Sequence, residues 1–188
     1  MTFDLRNPNS IYSSLAAARE NARTIREVLP HELWVQINAF DLKIKAIAAS
    51  SNRTIDDPQA FFDDVRQGCQ LFWGMLDSAY TRNEGYHFAS LGKFIERADK
   101  TSRFLDVNYF TPSLNLKKGG ASPEELLIWT SVLKSVSAFN MYRQQYKNLE
   151  PMHIVKFLVL DKCFPRSIYY SVLMAEVSLY KISGQSLK

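Results

Sequence analysis

The chain is short of turn-forming residues. Of 188 residues, 7 are Gly and 7 are Pro, against a usual combined share of about 12%. So few tight turns disfavour a many-stranded sandwich or barrel and favour long helices. They also exclude collagen-like and Gly/Pro-rich disordered classes. Cysteine is scarcer still. Cys69 and Cys163 are the only two, too few for a disulfide framework and outside any zinc-binding spacing. Both are expected to be reduced, mostly buried thiols in a cytosol. No apolar run approaches the length of about 18 residues that spans a membrane. Met1-Thr2-Phe3-Asp4-Leu5-Arg6 lacks the apolar core of a signal peptide. A cytoplasmic protein without a membrane partner is therefore expected.

Signatures of familiar chemistry are missing too. The sequence has no nucleophile elbow, no HExxH and no Gly-rich phosphate loop. Gly119-Gly120 beside Lys117-Lys118 lacks P-loop spacing, so the chain is expected to carry no ATP site and no cofactor. The formal net charge is +4, but it is unevenly spread. Residues 1–110 hold 13 Lys/Arg against 14 Asp/Glu, and residues 111–188 hold 10 against 5. A basic half attracts phosphate or an acidic partner. These cations are scattered and accompany no nucleic-acid motif, which favours a solvated surface and argues against nucleic acid.

What the sequence does have is helical periodicity. Asn7-Pro8-Asn9-Ser10 is a turn ending in an N-cap candidate. Ile11, Leu15, Ala18, Ala22, Ile25 and Leu29 follow as one apolar stripe. Pro30 suits the first position of a second helix, with Leu33, Ile37, Phe40, Ile44 and Ile47 inward and an end near Ser50-Ser51-Asn52. Asp57-Pro58 starts a third helix, with Phe61, Val65, Cys69, Phe72, Leu76 and Ala79 inward. Gly68 and Gly74 inside it suggest close approach of a neighbour or a kink. After a break at Arg82-Asn83-Glu84-Gly85, a fourth helix places Phe88, Leu91, Ile95, Ala98, Ser102 and Leu105 on its stripe. Residues 108–122 form the longest turn-rich segment and read as a mobile loop. Ser122-Pro123-Glu124-Glu125 starts a fifth helix running to about Lys147. Ile154 to Leu160 reads as a short helix, and Phe164-Pro165-Arg166-Ser167 opens the last, toward Ile182. The expected fold is all-α: one domain over residues 1–188, an antiparallel bundle of about seven helices. Trp34, Trp73 and Trp129 fall on or near the stripes and are expected in the core rather than on a base-stacking platform.

An internal echo links two of these helices. Ser14-Leu15, Glu20, Ala22 and Leu29 recur 76 residues later as Ser90-Leu91, Glu96, Ala98 and Leu105. Each Glu lies one residue from its stripe and beside cations: Arg19 and Arg23, or Lys93, Arg97 and Lys100. Such a Glu can form a partly buried, charge-assisted pair one turn away.

Together the motifs carry a resemblance. They are Asn7-Pro8-Asn9-Ser10-Ile11, the run Ala18-Arg19-Glu20-Asn21-Ala22-Arg23-Thr24-Ile25-Arg26-Glu27, and Glu32-Leu33-Trp34 with Asn38. Glu84-Gly85-Tyr86-His87-Phe88, Leu91-Gly92-Lys93-Phe94-Ile95-Glu96-Arg97-Ala98-Asp99 and Phe164-Pro165-Arg166-Ser167 complete the set. The chain resembles the bacterial Alpha-E family from Asn7 to about Ile182, with Glu96-Arg97 as the Glu-Arg motif. The resemblance implies a helical module of unknown molecular function. It also implies an accessory or interaction role beside an ATP-grasp amide ligase and a transglutaminase-like protease that modify a peptide through amide bonds. Full family members usually begin with a further helical segment bearing its own Glu-Arg motif and continue past the Pro-Arg-Ser helix. The chain is accordingly expected to be a middle fragment or a short member. Apolar faces exposed in a fragment favour pairing with another chain, including a homodimer. The basic C-terminal half and the 111–122 loop are where a partner is expected.

Two chemical alternatives stand beside that reading. In one, Glu96 is a general acid or base, with Arg97, Arg23 or Arg19 holding an anionic substrate and Glu20 and His87 as further candidates. The blander alternative is that Glu20 and Glu96 pair with Arg residues to fix helix register, and it is preferred. In the other, Glu84-x-x-His87 and Glu150-x-x-His153 resemble the Glu-x-x-His units of di-iron bundles, with Glu20, Glu96 or Glu176 supplying further ligands. Glu96 shares a helix with Glu84, and Pro151 interrupts the second unit, so metal binding is the weaker candidate.

Overall fold

A computed structural model of the chain describes residues 2–49, 57–109 and 122–184. Among the described residues there are eight helices and no strand. They fall into two compact units, Met1–Thr81 and Arg82–Lys188.

The first unit holds α1 (Ile11–Thr24), α2 (His31–Ala49) and α3 (Pro58–Ala79). Each start has a local cause. The Ser10 hydroxyl accepts from the Ser13 amide at 3.1 Å, and the Asp57 carboxylate accepts from the Ala60 amide at 3.0 Å, satisfying amides that lack helical partners. Pro30 sits one residue earlier than its expected place. It precedes α2, and its carbonyl accepts from Leu33 and Trp34 at 3.1 and 3.2 Å. The first helix is shorter than its stripe suggested: it ends at Thr24, and Ile25 is an exposed C-cap. α2 packs against α1 on one side and α3 on the other, burying Ala22, Leu33, Ile37, Ile44, Phe61 and Leu76. A side chain of Leu or Phe size contributes roughly 1.5–3 kcal/mol when fully buried. The expected close approach holds at Gly68, where an added Cβ would meet the Phe40 ring at 2.8 Å, but not at Gly74, which faces open space. The expected end of α2 near Ser50-Ser51-Asn52 lies outside the described residues.

The second unit holds α4 (Glu84–Tyr109), α5 (Pro123–Ser135), α6 (Phe139–Gln145), α7 (Pro151–Leu160) and α8 (Ile168–Ser183). At α5 a full capping box forms. The Glu125 amide donates to the Ser122 hydroxyl at 3.2 Å, and the Ser122 amide donates to Glu125 Oε2 at 2.8 Å. The single helix expected up to Lys147 breaks into α5 and α6 at Ser137, whose φ is +53°. The core of this unit gathers Trp129, Leu133, Tyr142, Ile154, Phe157 and Leu158. The Tyr142 hydroxyl donates to the Asn148 carbonyl at 2.9 Å and accepts from the Glu150 amide at 3.3 Å, tying the α6–α7 turn. Before α8, Asp161 Oδ1 accepts from the Cys163 and Phe164 amides at 2.8 and 2.7 Å. Ser167 caps the helix by accepting from the Tyr170 amide at 3.0 Å.

α4 and α8 pack along their lengths through small hydroxyl residues: Ser90, Thr101, Ser171 and Ser178 are all buried. The Thr101 hydroxyl donates to the Arg166 carbonyl at 2.9 Å. This seam rotates α4 away from its expected phase. Ser90, Phe94 and Thr101 point inward, whereas Phe88, Ile95 and Ser102 are exposed. Cys69 and Cys163 are free, as expected, but exposed rather than buried. Cys69 lies on the outer side of α3, and Cys163 lies in the turn before α8. Trp129 is buried in the core and Trp34 and Trp73 are half-buried. The turn-rich segment lies outside the described residues from 110 to 121.

Candidate functional site

In the first unit the polar residues of α1 and α2 form one connected cluster, built around a carboxylate that the apolar stripe conceals. Asp41 lies four residues after Ile37 and three before Ile44, so helical spacing places it on the buried face of α2. It is 2% exposed. Its Oδ2 receives Lys45 Nζ at 2.7 Å and lies 3.5 Å from Arg19 Nε on α1. Arg19 Nε also donates to Asn38 Oδ1 at 2.7 Å. The Arg19 guanidinium carbon stands 5.7 Å from the Trp34 ring centre, and that of Arg26 stands 5.2 Å from the same centre. A buried carboxylate must be paired, and here the pairing draws Arg19 across the α1–α2 contact.

Glu20 has a different position. It points to solvent, and Arg23 holds it through Nε at 3.1 and 3.0 Å and through Nη2 at 2.6 Å. These hydrogen bonds hold the Glu20 carboxyl below its ordinary range and raise Arg23. The expected pair therefore forms, but it is exposed rather than partly buried. Position 20 lies about 200° around the helix from buried Ala22.

In the second unit Glu96 is exposed and lies 3.1 Å from Lys100, one turn along α4. Arg97 is half-buried, and its guanidinium carbon stands 5.7 Å from the Phe94 ring centre. Adjacent helical residues point about 100° apart, so Glu96 and Arg97 turn to different neighbours rather than to each other. His87 is half-buried with its ring edge-on to Tyr86 at 5.4 Å. Glu84 is exposed one turn before it. Glu150 Oε2 meets His153 Nδ1 at 3.2 Å, and the His153 ring stacks on Tyr146 at 5.2 Å. The two Glu-x-x-His units do not converge. Among the described residues no three His, Cys, Asp or Glu side chains stand close enough to hold a metal ion. Although Cys69 is exposed as a residue, partial desolvation of its sulfur raises the thiol above its ordinary value.

The family model of Alpha-E, a predicted alpha-helical domain with a conserved ER motif, matches residues 1–188. The chain belongs to the Alpha-E family. No curated protein and no solved structure gives a match. Glu96-Arg97 is the sole Glu-Arg dipeptide of this Alpha-E chain, and its two members have separate local partners. Asp41 is the residue that the sequence reading missed. A charged residue in mid-stripe, four residues before a lysine, was its available signal. No described helix is long and apolar enough to cross a membrane.

Proposed function

We propose that this Alpha-E chain is an accessory interaction module rather than a self-contained enzyme, acting with an ATP-grasp amide ligase and a transglutaminase-like protease in the cytoplasm of a bacterium. The observation that carries this reading is the state of the two motif glutamates. Glu20 and Glu96 are both exposed, and each is held by a cation one turn away on its own helix. Proton transfer at neutral pH favours a carboxyl whose pKa is raised by desolvation. Glu20 is shifted the other way, and Glu96 stands in solvent beside Lys100. The rival reading, in which Glu96 works with Arg97 and His87 in a cleft, needs the opposite environment. Exposed apolar side chains along α4 and α8 are consistent with protein contacts.

The test is co-expression of the full chain with an ATP-grasp amide ligase from the same bacterium. Stable co-purification, with Glu96→Gln leaving complex formation and ligase turnover intact, is the expected result. Loss of turnover in a folded Glu96→Gln protein would establish the enzymatic reading instead.

A further inference from the structure

α8 has two contrasting faces. One carries buried Ser171 and Ser178 in the seam with α4. The other carries Tyr169, Val172, Leu173, Val177 and Tyr180, all exposed, with Val172 at 56%. Their three- and four-residue steps put them on one face, about 16 Å long at 1.5 Å per residue, with the exposed Glu176 among them. Val159 and Leu160 at the end of α7 extend it, lining a groove with Tyr169, Val172 and Leu173. Scattered exposed apolar residues are ordinary, whereas a contiguous stripe is characteristic of a recognition surface.

The charges around the stripe say what fits it. Lys162 Nζ lies 5.8 Å from the ring centre of Tyr169 at one end, and Lys181 Nζ lies 6.0 Å from that of Tyr180 at the other. Both lysines are exposed. Between them Glu176, seven residues after Tyr169 and four before Tyr180, stands exposed within the stripe. A second copy of this chain is a poor occupant. Packed antiparallel along α8, it brings Lys162 of one copy to the end that holds Lys181 of the other. Packed parallel, it opposes each lysine to itself. With the stripes aligned end to end, cations meet cations either way, and like-charge juxtaposition disfavours that partner.

We infer that the α7–α8 face docks an amphipathic helix of a partner protein that is apolar along one side and acidic at both ends. The apolar side fills the stripe, and the terminal acids meet Lys162 and Lys181. The inference deepens the interaction-module reading and rests on it.

The probe is a pair of synthetic helical peptides of about 16 residues with the same leucine face, one ending in glutamates and one in lysines. Each is titrated calorimetrically into the full chain. The glutamate-ended peptide is expected to bind at least about tenfold more tightly than the lysine-ended one, and to weaken with salt. Lys162→Glu with Lys181→Glu reverses the preference, and Val172→Asp removes binding of both peptides while the thermal melt is unchanged. The lysine changes lie on the surface, so they test the idea even if Val172→Asp fails to fold. No binding of the glutamate-ended peptide, equal binding of both, or a chain dimer that Val172→Asp dissociates would overturn it. Failure here with intact co-purification removes this docking mode and leaves the module reading standing. Peptide binding without co-purification supports the docking face and removes the ATP-grasp system as its partner.

Discussion

Arg19 on α1 and Asp41 on α2 meet at 3.5 Å, and the carboxylate they share with Lys45 is almost wholly withdrawn from water. The pair joins two helices that Arg19 also bridges through Asn38 and over the Trp34 ring. Removing one partner of a fully buried pair costs about 3–5 kcal/mol, because the other charge is stranded. Here the two cations keep partial access to water, so a smaller loss follows. Asp41→Ala is expected to lower unfolding stability in urea by about 2 kcal/mol. Asp41→Asn should lose less, because its amide oxygen still accepts from Lys45 or Arg19. Equal midpoints for Asp41→Ala and the parent chain would show that the pair adds nothing to stability.

The Glu20–Arg23 pair predicts a small pH effect with a definite sign. The Arg23 hydrogen bonds depress the Glu20 carboxyl in the folded state. A depressed carboxyl contributes stability that is present above its unfolded value, and that stability is lost as pH falls through the folded one. Glu20→Gln should therefore be slightly less stable than the parent at pH 7 and match it at pH 2–3. Because the pair is exposed, the difference should also shrink in high salt. Thermal melts across pH and salt measure it. A gap that widens on acidification contradicts the assignment.

Two glycines of the same helix should respond differently to a methyl group. At Gly74 an added Cβ meets nothing within 4 Å, so Gly74→Ala should gain about 0.5–1 kcal/mol from helix propensity. At Gly68 the same atom would lie 2.8 Å from the Phe40 ring, and the ring must move to admit it. Gly68→Ala is expected to be less stable than Gly74→Ala by more than 1 kcal/mol in denaturant titrations. Equal gains at both sites would mean that Phe40 yields freely.

These contrasts show which parts of the fold were legible in the sequence. The caps at Ser10, Asp57, Ser122 and Ser167 each bond an amide three residues ahead, so the signal and its partner share one short window. The phase of α4 was hidden because its seam with α8 uses Ser90 and Thr101. Hydroxyls give no apolar signal, and their burial depends on a helix about 80 residues away. Asp41 was hidden for a related reason, since its burial becomes tolerable only through Arg19 on another helix. The sequence reading found Glu20 and Glu96 with cations nearby. It could not tell that both face solvent, because a position one residue from a stripe falls on either side of the buried boundary.

The break between α5 and α6 has a local cause that can be removed. No Gly or Pro marks it, and Ser137 takes the left-handed conformation at φ +53°. Its amide still donates to the Lys134 carbonyl at 3.0 Å, and the Ala138 amide donates to Leu133 at 2.7 Å. This pattern closes a helix C-terminus and usually places glycine at the left-handed position. A residue with a Cβ pays about 1–2 kcal/mol for that conformation. Ser137→Gly should relieve part of this, less the extra freedom glycine gives the unfolded chain, for a net gain of about 0.5–1 kcal/mol. Ser137→Val should lose stability, because a β-branched side chain fits the left-handed region worst. Urea midpoints for the two variants should therefore lie on opposite sides of the parent. If both fell below it, the Ser137 hydroxyl rather than its backbone would be what holds the joint.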